Sequence, residues 1–166
     1  DGWRVDALDP DPLSGRHATE VLGVPVIGKT LGAAPIADAT YDVALLSHVI
    51  EHLPDPLASL HELHRVVRPG GVVVLETPRF DTLAFRIFGR RERSIACEGH
   101  LYFFTLATLA ALARRAGFEV LRHDVVGRSL TLDRLLWNLG VIAKNERLKA
   151  WLAGVSRRLG LTHRRI

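Results

Sequence analysis

Hydrophobic positions along this chain switch between short unbroken runs and recurrences at helical spacing. Val5 to Leu8 is a short apolar run ending at Asp9. Asp11-Pro12 follows, an N-cap and a first-position proline, and predicts a helix to about Leu22, stopped by Gly23. Val24 to Ile27 reads as the next strand, and a loop runs through Pro35. Tyr41 to Leu46 is almost continuously apolar, as strands buried in parallel sheets are. Asp55-Pro56 repeats the helix-start signature, and Leu57, Leu60, Leu63 and Val67 recur on one helical face. Arg68-Pro69-Gly70-Gly71 predicts a tight turn, and Val72 to Leu75 a further strand ending at Glu76-Thr77-Pro78. Phe80 to His100 has no clear period and reads as an aromatic, basic lid or wall. Thr105 to Ala116 is a helix closed by Gly117, and Phe118 to Val126 a strand. Leu130 to Leu159 reads as helical, with a break near Lys144-Asn145.

Strands alternating with helices predict an α/β fold: a doubly wound, mostly parallel sheet with helices on both faces. Ligands of such sheets bind outside the carboxyl ends of the strands. That rule singles out Asp9, which is placed to hydrogen-bond ribose hydroxyls. It equally singles out Ser47, His48, Glu51 and His52 after the third strand. A plain alternative for Asp9 is a surface carboxylate in a DPDP turn. His48 to His52 also spells H-x-x-E-H, the inverted zinc-peptidase motif. That motif needs both histidines on one helix face. Here His48 directly follows a strand, and Pro54-Asp55-Pro56 interrupts any helix begun there. His61 and His64 fall on the next helix as fillers. His100, before the apolar run LYFF, is open to two roles: a packed ring, or a general base.

Composition adds bounds. The chain has 166 residues, 48% hydrophobic and 24% charged, enough for a domain with a sizeable core. It shows no membrane-spanning run, its acidic opening leads to no expectation of a signal peptide, and its lone Cys97 excludes an internal disulfide. These features fit a reducing cytoplasm. The net charge of +4 comes from short arginine clusters without interleaved aromatics, so no nucleic-acid partner is expected. The C-terminal cluster leaves peripheral contact with an anionic lipid surface open.

The run YDVALLSHVIEHLPDPLASLHELHRVVRPGGVVVLETP resembles the central block of the class I S-adenosylmethionine-dependent methyltransferases, in the subgroup of ubiquinone-type and small-molecule enzymes. Tyr41-Asp42-Val43, Glu51-His52, Asp55-Pro56, Arg65-Val66-Val67, Pro69-Gly70-Gly71 and Pro78 carry the likeness together. HLYFFT from His100 and AGFEV from Ala116 are similar to the family's later segment. Gly2-Trp3 through Asp9-Pro10 resembles the approach to its second strand. The likeness covers Gly2 to about Val126 and implies a Rossmann-like methyltransferase fold, an S-adenosylmethionine cofactor and a small-molecule acceptor. It implies ribose binding by Asp9, an adenine edge at Thr30 and Leu31, and methionine-side residues Ser47, His48 and His52. Glu76 and Thr77 would face the acceptor, with His48 and His100 as candidate bases, and no metal is required. A partial methyltransferase core is expected over residues 1–128, and the helical pattern of the tail predicts a C-terminal extension of the same domain at 129–166.

The family's first strand and G-x-G-x-G loop are expected upstream of Gly2, a unit of roughly 30 residues. That strand lies between the family's second strand and the one matching Tyr41 to Leu46. Its absence predicts a gap there, a direct re-pairing, or a marginal domain. Two further readings remain at this level: an inactive piece or cofactor-free binding module, and a nicotinamide-dependent oxidoreductase of the same architecture.

Overall fold

The computed structural model describes residues 2–82, 85–86 and 99–125, together with Arg147, Ala150, Trp151, Gly154, Val155 and Arg158, which are helical. The chain divides into two compact units, Asp1–Leu121 and Arg122–Ile166. The helix expected over Leu130 to Leu159 lies mostly outside the described residues, as does most of the segment between Phe80 and His100. No helix among the described residues is long and apolar enough to cross a membrane.

The first unit is α/β with parallel strands. β1 (Ala7–Leu8) leads into α1 (Pro12–Glu20), then β2 (Val26–Gly28). A 3-10 turn at Leu31–Ala33 follows, then β3 (Tyr41–Ser47) and a second 3-10 turn at Ile50–His52. α2 (Pro56–Val66) runs straight into β4 (Val67–Glu76), and α3 (Leu106–Arg115) follows later. The helices start where the sequence says. Asp11 accepts from the backbone amides of Leu13 and Ser14, Asp55 from Ala58, and Thr105 forms a capping box with Thr108. These caps satisfy amides that the first helical turn leaves unbonded.

β1 pairs with β2, and β3 with β4, both in parallel. They form two separate two-stranded sheets, with no ladder between β1 and β3 among the described residues. Of the three outcomes expected, this is the gap. What joins the two sheets is side-chain contact. The Tyr41 hydroxyl donates to Asp6 Oδ2 at 2.9 Å, and burial together with that carboxylate raises its pKa. Leu31 and Ile36, from the segment after β2, pack into the core beside β3.

That core sits on one face of the β3–β4 sheet. Leu60, Leu63 and Val66 of α2 meet Ile50, Val67, Phe104 and Ala116, with Ala44, Leu46, Val73 and Leu75 packed against them. Side chains alternate across a strand, so Val43, Leu45, Val72 and Val74 point the other way, and all are exposed.

Two sequence expectations need correction. Arg68-Pro69-Gly70-Gly71 is not a turn between helix and strand. It is an irregularity inside β4: Tyr41 pairs with Val67 and Val43 with Val72, so the extra residues bulge out. A Cβ on Gly71 would lie 2.6 Å from Val67 Cγ1 and 2.8 Å from the Asp42 carbonyl oxygen. Gly71→Ala should therefore push β4 off β3 and cost about 2 kcal/mol of stability by overpacking. A denaturation midpoint equal to wild type would contradict this. The second correction concerns Phe118 to Val126. Residues 118–125 form no strand, and Leu121 and Val125 are exposed. Extended backbone becomes a strand only against a partner edge, and β4 pairs only with β3 among the described residues.

Candidate functional site

β3 ends at Ser47, and the chain then makes an abrupt turn. His48 has φ of 54°, the left-handed region that a side chain with a Cβ rarely adopts. Its amide donates to the Glu76 carbonyl at 2.9 Å, which continues the β3–β4 ladder by one bond and holds the strained residue. The Ser47 hydroxyl donates to Glu76 Oε2 at 2.8 Å. The His48 ring lies between two carboxylates, with Nδ1 3.4 Å from Glu51 Oε1 and Nε2 3.6 Å from Glu76 Oε1.

Glu51 is the residue whose importance sequence reasoning underrated. It is 1% exposed, the one charged side chain buried among the described residues. A buried carboxylate needs partners. The Thr77 hydroxyl donates to its Oε2 at 2.9 Å, while Oε1 makes no hydrogen bond. The 3.4 Å contact from His48 reaches ion-pair distance but not hydrogen-bond geometry. The backbone carbonyl of Glu51 accepts from the amides of Leu101 (2.8 Å) and Tyr102 (3.1 Å). His52 Nδ1 bonds the Gly99 carbonyl oxygen at 2.8 Å. These ties bring His100 beside His52, with ring centroids 4.7 Å apart. The sequence hint was a glutamate directly after the apolar pair Val49-Ile50, but its burial depends on residues far along the chain.

The structure thus gathers Ser47, His48, His52, Glu76, Thr77 and His100 around Glu51 at the carboxyl ends of β3 and β4. Asp9 is elsewhere, at the carboxyl end of β1. Its amide donates to Gly28, and its Oδ1 accepts from the Asp11 amide at 2.8 Å. The turn role and an acceptor role are therefore compatible, because a carboxylate has two oxygens. Asp9 lines an open groove of about 380 Å³ with Pro10, Gly15, Gly28 and Lys29. Thr30 is exposed and its carbonyl accepts from Ala33 and Ala34, while Leu31 turns toward the core.

H-x-x-E-H does not form an inverted zinc-peptidase site. His48 stands in a left-handed turn and His52 in a separate 3-10 turn, so no helix presents both. Past the cluster, Phe80 stacks obliquely on Phe85 (4.8 Å) and Phe103 (5.6 Å), and His100 lies 6.3 Å from Phe103.

Residues 2–123 match the family model described as a methyltransferase domain. The chain belongs to the class I S-adenosylmethionine-dependent methyltransferases. It is 34% identical over 125 residues to a probable S-adenosylmethionine-dependent methyltransferase of Mycolicibacterium smegmatis, covering 75% of this chain and 46% of that protein. It is 36% identical over 130 residues to a demethylmenaquinone methyltransferase of Alkalihalophilus pseudofirmus, covering 67% and 53%. The chain thus spans about half the length of these curated relatives. A methyltransferase structure from Thermotoga maritima, described as a possible histamine N-methyltransferase, superposes with a TM-score of 0.59 at 27% identity. That match covers 68% of this chain and 54% of the other. The fold is the Rossmann-like methyltransferase fold, and the family's cofactor is S-adenosylmethionine. Family membership displaces the oxidoreductase reading.

Asp9 keeps Oδ2 clear of its turn bond and faces a groove, which suits the paired hydroxyl donors of a ribose.

Proposed function

We propose that the whole protein transfers a methyl group from S-adenosylmethionine to a small-molecule acceptor. The observation that carries this reading is the polar cluster at the carboxyl ends of β3 and β4, with a histidine on either side of a buried glutamate. When bound, the cofactor supplies a methyl carbon already activated for attack. The chain's own residues then need only position the acceptor and take its proton.

In this reading Asp9 accepts from the ribose hydroxyls, and the Thr30–Leu31 backbone meets the adenine edge. Ser47 and His52 border the methionine portion. His48 is pre-aimed by its strained backbone and by Glu51 and Glu76, so its ring has little freedom to lose when it receives a proton. His100 is held opposite by the Glu51 carbonyl ties. Glu76 and Thr77 face the acceptor. The half-exposed rings of Phe80 and Phe103 beside His100 favour an acceptor with an apolar or planar body.

The test is single-turnover methyl transfer by the full-length protein, using radiolabelled donor and a panel of hydroxyl, amine and quinol acceptors. His48→Ala or His100→Ala is expected to slow transfer by about a hundredfold with donor affinity retained. Unchanged rates in both variants would remove the base assignment.

A further inference from the structure

Glu51, His52 and His100 each offer one ligand atom, and these atoms lie within 4.8 Å of one another. We propose that they form a binding site for one divalent first-row transition ion of the zinc class, with an open coordination position toward solvent. This goes beyond the methyl-transfer reading and does not depend on it; an imidazole that holds an ion has no lone pair left for a proton, so with the ion bound His100 is a ligand and His48 the base. It also differs from the H-x-x-E-H pattern, since the second histidine comes from the segment after residue 98 and His48 is left out.

The donor set is two imidazoles and a carboxylate, the kind that suits zinc and its neighbours and not calcium or magnesium. Three features make it a prepared site. First, Glu51 is buried and its Oε1 makes no hydrogen bond, a charged oxygen held out of water with only the 3.4 Å contact from His48 Nδ1. A cation removes that cost. Second, a carbonyl oxygen can only accept, so the 2.8 Å bond to Gly99 fixes the proton of neutral His52 on Nδ1. The lone pair is then on Nε2, which is how outer-shell carbonyls set the tautomer of metal-bound histidines. Third, the Leu101 and Tyr102 amides bonded to the Glu51 carbonyl hold the two contributing segments in register before any ligand arrives.

Ligand atoms around a tetrahedral zinc stand about 3.4 Å apart, from bond lengths of about 2.1 Å. The ligand atoms here stand no more than 4.8 Å apart, so a small side-chain adjustment closes the set, and His52 is exposed. The open position would take water or an acceptor hydroxyl, which a bound ion acidifies.

Equilibrium dialysis of the full-length protein against Co²⁺, followed by visible absorption and metal analysis, tests the site. One equivalent should bind, with d–d bands of a four- or five-coordinate ion, and Zn²⁺ should displace it. His52→Ala and His100→Ala should each weaken Co²⁺ binding at least tenfold. Glu51→Gln keeps the side-chain shape and should do the same, with circular dichroism reporting that the fold is retained. His61→Ala, exposed on α2, should change nothing. Stoichiometric binding that survives in a His52→Ala/His100→Ala double variant would overturn the proposal, and so would no binding to folded wild type.

Discussion

Asp9→Ala in the full-length protein is expected to weaken S-adenosylhomocysteine binding by about a hundredfold. Two hydrogen bonds from ribose hydroxyls to a carboxylate are worth about 1.5 kcal/mol each, and about 3 kcal/mol corresponds to that factor. Asp9→Asn keeps one acceptor oxygen and should fall between. The alanine variant also loses the bond from the Asp11 amide, so the start of α1 must be monitored by circular dichroism. Asp11 itself should hold the helix, because it caps Leu13 and Ser14 independently. Its carboxyl is kept below the usual range, chiefly by the Ser14 hydroxyl. A lowered folded pKa contributes stability above pH 3.8 and loses it as pH falls below that value, so neutral pH leaves the cap intact. Unaltered affinity in the alanine variant would remove Asp9 from the cofactor site and leave it a turn residue.

Leu60→Ala is expected to destabilise the protein by about 3 kcal/mol, with a lower urea midpoint and an unchanged slope. Leu60 is 0% exposed and sits at the centre of the α2 face. It belongs to one cluster with Ile50, Leu63, Val66, Val67, Phe104 and Ala116. Ile50 and Phe104 also flank the polar site, since Ile50 precedes Glu51 and Phe104 follows the segment that Glu51 ties down. The cavity should therefore loosen the site as well as the fold. A cost below about 1 kcal/mol would mean that the structure collapses freely around the gap, and that α2 does not anchor the core.

The elements that were legible in the sequence are those whose signals are local. Asp11-Pro12, Asp55-Pro56 and Thr105 each place their cap and its amide partners within a few residues, so pattern alone locates the helices. β3 was legible because its apolar run is long and bounded. Arg68 to Gly71 was misread because proline and glycine mark turns and bulges alike, and what decides is the distant backbone of Asp42 against Gly71. Phe118 to Val126 has the apolar content of a strand, but a strand is a property of two segments. The residues gathered at the ends of β3 and β4 followed from topology and the resemblance. Glu51 was singled out only by its place after β3; its burial was not legible, because it depends on Thr77, Leu101 and Tyr102, which no local spacing reveals.

Calorimetric titration of S-adenosylhomocysteine into the full-length protein tests the central claim most directly. The account predicts one site of micromolar affinity. A protein shown to be folded that releases no binding heat and shows no thermal shift with the ligand would contradict it, and would leave a methyltransferase fold kept for binding something else.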